Sequence, residues 1–362
     1  MESTHAWTAG AATGVGSMPG TDVVEAVRTV LGELPDLPHL PELPDRGPGA
    51  DLIGRGASFL VDLPVDLQPS GWRLVDRPGR DLRRALDLLE RDLDALTEHA
   101  DGYTGPLKVQ AAGVWTLAAS VELHNGAKAL SDPGAVRDLS ASLLDGLITH
   151  LADLRRRVPG ASLLLQLDEP SLPAVLAGRI TTPSGYGTVR RPEESTVEAT
   201  LATLVEKVGA PVVLHCCARD VPWALFRRAG AVAVSADLTL LGPIDRWSPK
   251  TIDTIGEELD AGLGLFAGVV PAVPPSGAPI AGNAADVRTA QRARARELSD
   301  PAASVTVVRT LWQRLGFDPA TLASQVVTTP TCGLAGATDD RARAVLAQVR
   351  AAGRSLVKDP EA

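Results

Sequence analysis

The chain predicts an α/β fold, a (β/α)8 TIM barrel with N-terminal and loop insertions. Three observations predict it. Short apolar, β-branched runs alternate with longer amphipathic stretches. Eight such runs can be found, the strand count of a closed parallel barrel. The residues with metal-binding and acid chemistry fall at the C-terminal ends of these runs, where a parallel barrel carries its site.

The predicted strands begin with ATGVGS (12–17), ASFLVDLP (57–64), LKVQAAG (107–113) and SLLLQLDEP (162–170). They continue with PVVLHCC (211–217), AVAVSADL (231–238), LGLFAGVV (263–270) and QVVTTPTC (325–332). Between them, apolar residues at helical spacing predict helices over 81–100, 138–158, 194–209 and 340–356. Residues 34–49 carry prolines at 35, 38, 41, 44 and 48, which suit a loop or insertion near the barrel mouth. The stretch around Pro41 to Pro44 is an alternative, irregular second strand. No internal repeat and no second core pattern are visible, so residues 1–362 read as a single domain.

The bulk properties narrow the function. With 362 residues, 44% of them hydrophobic, the chain can bury a large core. A net charge of −9 without a basic run argues against nucleic acid or an anionic membrane as the main partner. The most apolar stretch, LGLFAGVVPAVPP (263–275), is too short and proline-rich to span a bilayer. Met1 to Trp7 lack the charge and apolar pattern of a signal peptide. Three cysteines, an odd and small number, fit a reducing, cytoplasmic location.

All three cysteines sit in two motifs, LHCC with His215, Cys216 and Cys217, and TPTC with Cys332. Residues i and i+2 of a strand share a face, so His215 and Cys217 point together and Cys216 points away as a small buried hydrophobe. Imidazole and thiolate from two strand ends suit Zn2+. Asp237, ending the next strand, is the candidate fourth ligand, with a helix cap as its ordinary alternative. Trp115 is a candidate wall for a flat methyl donor or a packing residue, and Gln110 is expected to face the interior. His124 and His150 read as surface or packing residues, and Tyr186 as the tip of a glycine-rich loop.

Taken in order, TGVGSMPGT (13–21), QLDEPSL (166–172), LHCC and TPTCGL resemble the catalytic barrel of the cobalamin-independent methionine synthases, within the superfamily that also holds uroporphyrinogen decarboxylase. The resemblance covers nearly the whole chain. It implies a 5-methyltetrahydropteroyltriglutamate-homocysteine S-methyltransferase-like enzyme that moves a methyl group to a small-molecule thiol, homocysteine, giving methionine. It implies zinc on His215, Cys217, Cys332 and, in place of the family's Glu, Asp237. Those first three residues would also be the catalytic ones. Gly16 and Ser17 would hold the substrate carboxylate, the latter with backbone N–H groups at a helix entrance. Asp168 would pair with its ammonium, and Glu42, in PELPDR, matches a family Glu that also holds the amino acid. Glu169 alternates away from Asp168.

Departures from that pattern leave the methyl donor open between a folate and a corrinoid protein. Folate-dependent members have two barrels, and this chain has room for one. No histidine follows His215, whereas the family places a proton-donating His before the last Cys. The alternatives are a related barrel enzyme acting on another thiol or on a uroporphyrinogen-like substrate, and a non-catalytic zinc- or thiol-binding protein. The decarboxylases need no zinc cysteines, which speaks against them.

Overall fold

Outside the main sheet, β1 (Val65–Gln68) and β2 (Gly71–Leu74) form a small antiparallel hairpin. The main sheet is parallel and six-stranded: β3 (Gly105–Ala112), β4 (Ala161–Asp168), β5 (Val212–Cys216), β6 (Ala233–Asp237), β7 (Gly264–Val270) and β8 (Val326–Pro330), in sequential order. These descriptions come from a computed structural model in which residues 5–273, 298 and 300–361 are described. The end of the apolar stretch 263–275, residues 274 and 275, lies outside them. Among the described residues no helix is long and apolar enough to cross a membrane.

The strands are near-continuous apolar runs because both faces of the sheet are covered. Outside, the helices Arg80–His99, Pro133–Arg157, Glu194–Lys207 and Asp339–Lys358 match the four predicted helices. In the first of them Leu82, Ala85, Leu89, Leu93 and Leu96 are buried, a single apolar stripe at helical spacing. Inside, Trp7, Ala11, Leu37, Leu164, Val213, Ala233, Phe266 and Val327 form a separate apolar layer. Trp7 sits edge-on to Phe266, with ring centroids 5.0 Å apart, and its Nε1 donates to Ser324 O at 3.0 Å.

Among the described residues the parallel sheet has six regular strands rather than eight, and two extended segments lie between β8 and β3, joined by isolated bridges rather than ladders. The first segment exchanges Thr13 N to Thr328 O (3.1 Å) and Thr328 N to Ala11 O (3.2 Å) with β8. The second flanks β3 through Lys108 N to Pro38 O (2.9 Å) and Leu40 N to Lys108 O (3.0 Å). The two meet where Glu42 N donates to Gly16 O (3.2 Å) and Met18 N to Glu42 O (2.8 Å). Pro38, Pro41 and Pro44 have no N–H, so a continuous ladder cannot form along the second segment.

The predicted strand 57–64 is a correction. Asp51 caps a helix over Leu52–Ala57 by accepting from Gly54 N at 2.9 Å. The chain then turns, with Asp62 in the left-handed region at φ 58. Apolar Phe59 and Leu60 are buried by this turn, which is why the stretch reads as a strand.

Trp7 carries a prediction. Trp7→Ala removes the largest side chain of the inner layer, and a large cavity in a closed core costs about 3–5 kcal/mol. Denaturant unfolding should show that loss in the midpoint, with an unchanged slope.

Candidate functional site

Parallel pairing sets the carboxyl ends of the strands side by side. Ala112 pairs with Asp168, Asp168 with His215, and His215 with Ser235. The sequence alternation then points Lys108, Gln110, Gln166 and Asp168 inward. Lys108 is fully buried, and its Nζ donates to Gln166 Oε1 (2.8 Å), Val15 O (2.9 Å) and Gln110 Oε1 (3.3 Å). Burial pushes its ammonium down to about 8, opposed by Asp168 and Glu42.

Two buried carboxylates face this cation. Asp168 Oδ1 accepts from Gln166 Nε2 at 2.7 Å. Burial raises Asp168 well above the ordinary carboxylate value, and Glu42 raises it further, while Gln166 and Lys108 oppose. Glu42 is also raised by burial and lowered by Arg55, Gln110 and Lys108. Arg55 Nε lies 3.4 Å from Glu42, and its Nη1 is paired with the fully buried Asp92, which also holds Arg46 at 2.7 Å. Burial pushes both carboxyls upward, and Lys108 and Arg55 offset it only in part, so the pair still favours a further cation.

Ser17 joins this rim. Its carbonyl accepts from Leu334 N at 2.8 Å, and a side chain on Gly333 would collide with its Oγ, so Ser17 lies directly over the Cys332 loop. Gly16 is required because a Cβ there would sit 2.9 Å from Gln110 Cγ. The helix entrance expected at Ser17 lies further on. The helix starts at Val23, and Asp22 already accepts from Glu25 N there at 3.1 Å. Ser17 therefore offers a hydroxyl and local backbone, without a free helix terminus.

His215 is buried, and its Nδ1 is 2.9 Å from Ser235 Oγ, which leaves Nε2 outside that bond. Burial, and then Lys108, drive the ring down to about 3, so it stays neutral. Neutral imidazole anchored through its other nitrogen is the form that ligates metals. Cys217 and Cys332 share a hydrogen bond, which raises Cys217 and lowers Cys332 to about 6. The pair therefore gives up one proton easily and holds the second. Cys216 is buried in the outer core, as its strand parity predicts.

The residues expected to hold zinc are brought together only in part. Among the described residues, no three His, Cys, Asp or Glu side chains converge as a metal-holding group. Asp237 is turned to its capping alternative, accepting from Thr239 N (2.9 Å) and Thr239 Oγ1 (2.6 Å). The thiol pair and the anchored imidazole have the donor chemistry for zinc. Both capping bonds of Asp237 fall on its Oδ1.

Trp115 takes its packing alternative: it is 1% exposed within the helix Val114–Ser120 and lies in the hydrophobic core. Glu169, which alternates away from Asp168, anchors that helix by accepting from Trp115 N (3.0 Å) and Thr116 N (2.8 Å). His150 packs on Phe59, and His124 is exposed beside Asp76. Lys108, Gln166, Arg55 and Asp92 were not singled out from the sequence. A lysine inside an apolar strand, two residues from Gln110, was the available signal for Lys108.

A curled parallel sheet that keeps its polar residues at the carboxyl ends of the strands places the chain among α/β barrel-like proteins. The family is more definite. Residues 10–355 match the family described as cobalamin-independent synthase, catalytic domain, and the chain belongs to that family of methyltransferases. The fold is similar to a B12-independent methionine synthase from Shewanella sp. W3-18-1 in complex with selenomethionine. That match has a TM-score of 0.57 and 10% identity, and covers 97% of this chain and 99% of that one. A methyltransferase from Methanosarcina mazei matches over 93% of each chain, at 16% identity and a TM-score of 0.45. No curated protein matches the sequence.

The thiol pair generates a prediction for metal-free protein. Iodoacetamide should alkylate Cys332 with an apparent pKa of about 6, the rate falling below that pH, and should spare Cys216. Cys217→Ala removes the hydrogen-bond donor and should move the apparent value up toward about 8.5, the ordinary thiol value. An unchanged profile would show that the pair does not share its proton.

Proposed function

We propose that this protein is a zinc-dependent S-methyltransferase that methylates an amino-acid thiol, homocysteine, to give methionine. The observation that carries this reading is the juxtaposition, at one end of the sheet, of the hydrogen-bonded thiol pair Cys217–Cys332 with the buried carboxyls Asp168 and Glu42. One part suits a soft metal and a sulfur nucleophile, the other an ammonium.

The chain's own residues divide the work. Asp168 and Glu42 take the ammonium, which relieves their mutual repulsion. Ser17 and the backbone beside Gly16 take the carboxylate. These contacts fix the sulfur end of the substrate toward Cys217 and Cys332. His215, Cys217 and Cys332 would hold zinc, with Asp237 as a fourth, displaceable ligand. Bound zinc would supply the Lewis acidity that keeps the acceptor sulfur a thiolate near neutral pH. As the new S–CH3 bond forms, the bond from the methyl group to the donor breaks and the donor takes the electron pair.

The donor is the remaining choice. A folate nitrogen leaves well only when protonated. The sequence has no histidine beyond His215 to deliver that proton. A methyl-corrinoid needs no such proton and is the donor this reading favours over a methyltetrahydrofolate.

Two measurements test the proposal. Purified protein should bind about one zinc per chain, and His215→Ala, Cys217→Ser and Cys332→Ser should each lower zinc content sharply, whereas Cys216→Ser should retain it. Metal analysis in which Cys216→Ser, and not Cys217→Ser, strips the metal would sink the assignment. Zinc-loaded protein given homocysteine should turn over faster with methylcobalamin or a methylated corrinoid protein than with 5-methyltetrahydrofolate. Robust turnover with the folate alone would reverse the donor preference.

A further inference from the structure

Lys108 has no part in the chemistry described so far, yet it occupies the centre of the buried polar layer. Its ammonium has donors only. Three oxygens receive them: Val15 O at 2.9 Å, Gln166 Oε1 at 2.8 Å and Gln110 Oε1 at 3.3 Å. Both glutamine amides must therefore turn their oxygens toward Lys108. Their nitrogens are then forced the other way. Gln166 Nε2 donates to Asp168 Oδ1 at 2.7 Å and to Val15 O at 2.8 Å. Gln110 Nε2 donates to Leu40 O, and the same amide, as a nearby donor, lowers the Glu42 carboxyl.

An amide is nearly symmetric in shape but opposite in polarity at its two ends. Turned over, Gln166 would press its oxygen against the Asp168 carboxylate, and Gln110 would do the same to Glu42. A buried acceptor facing an acceptor is costly. One cation beneath both amides removes that alternative at both positions at once. The backbone carbonyl of Val15 strengthens the arrangement, since it accepts from Lys108 and Gln166 together.

We propose that Lys108 is a positioning residue that locks the Gln110 and Gln166 amides so that Glu42 and Asp168 stand as hydrogen-bonded acceptors for the ammonium of an amino-acid thiol. The ammonium part rests on the function proposed above. The amide lock does not. Lys108 makes no substrate contact in this arrangement and acts only through the two glutamines. Specificity for an amino acid over a plain thiol then depends on a residue beneath the binding surface.

The test has one arm that needs no substrate. In full-length protein labelled with 15N-glutamine, the side-chain NH2 groups of Gln110 and Gln166 should be protected from solvent exchange. Lys108→Met, close in length and without donors, should speed their exchange by about tenfold or more. In the second arm, calorimetry compares homocysteine with 4-mercaptobutyrate, which has the same thiol and carboxylate but no ammonium. Lys108→Met should weaken homocysteine by about tenfold or more and 4-mercaptobutyrate by less than about threefold. Gln166→Leu leaves the lysine in place and should give the same selective loss, which supplies the comparison if Lys108→Met does not fold. Unchanged amide exchange, or equal losses for the two thiols, overturns the proposal. Released amides in a protein whose native form binds both thiols equally would keep the lock and remove the amino-acid substrate reading instead.

Discussion

One buried cation organises the upper interior of this protein. Lys108 is fully buried among Val15, Gln110 and Gln166, and its charge reaches Asp168, Glu42, His215 and His39. An ionised lysine is expensive to bury, and the cost is offset only when acceptors surround it and counter-charges lie near. Those acceptors come from β3, β4 and the extended segment near Val15, so the charge ties together parts of the chain far apart in sequence. Directly below lies the apolar layer of Trp7, Leu164, Val213 and Phe266. The polar layer therefore has a dry floor, which strengthens every electrostatic interaction above it.

The same arrangement explains why the two halves of the site differ in character. On the β3 and β4 side, carboxylates, amides and Lys108 are locked by short hydrogen bonds. A second network backs Glu42: Arg55 beside it is held by the buried Asp92, which also binds Arg46 in a two-pronged geometry. On the β5, β6 and β8 side, the groups are looser. Cys332 is exposed, Cys217 is partly buried, and Asp237 is occupied with its own turn. The carboxylate half is therefore tightly hydrogen-bonded and the thiol half looser, a division that fits the function proposed above.

The fold shows where local chemistry overrides pattern. Regular strands form where the chain supplies unbroken apolar residues with backbone donors. Between β8 and β3 the chain supplies prolines and glycines instead, and only isolated bridges span the gap. In the function proposed above, that irregularity has a use. Gly16, Ser17 and Glu42 lie on these two segments, where a backbone free of a strict ladder can be shaped around a ligand.

Much was legible in the sequence. The parallel α/β class, six of the eight strands, the four long helices and the parity of His215, Cys216 and Cys217 all follow from periodicity, because alternating burial leaves a period that survives in one dimension. The motifs TGVGS, QLDEP, LHCC and TPTC pointed to the family. Tertiary structure decided what depends on partners distant in the chain. It put Trp115 into the core, gave Asp237 to a turn, moved the second bridging segment to residues 38–42 and set Lys108 beneath both carboxylates. None of these has a period. A hydrogen bond such as Gln166 to Val15, 151 residues apart, is a property of where the sheet curls, and the sequence carries no local trace of it.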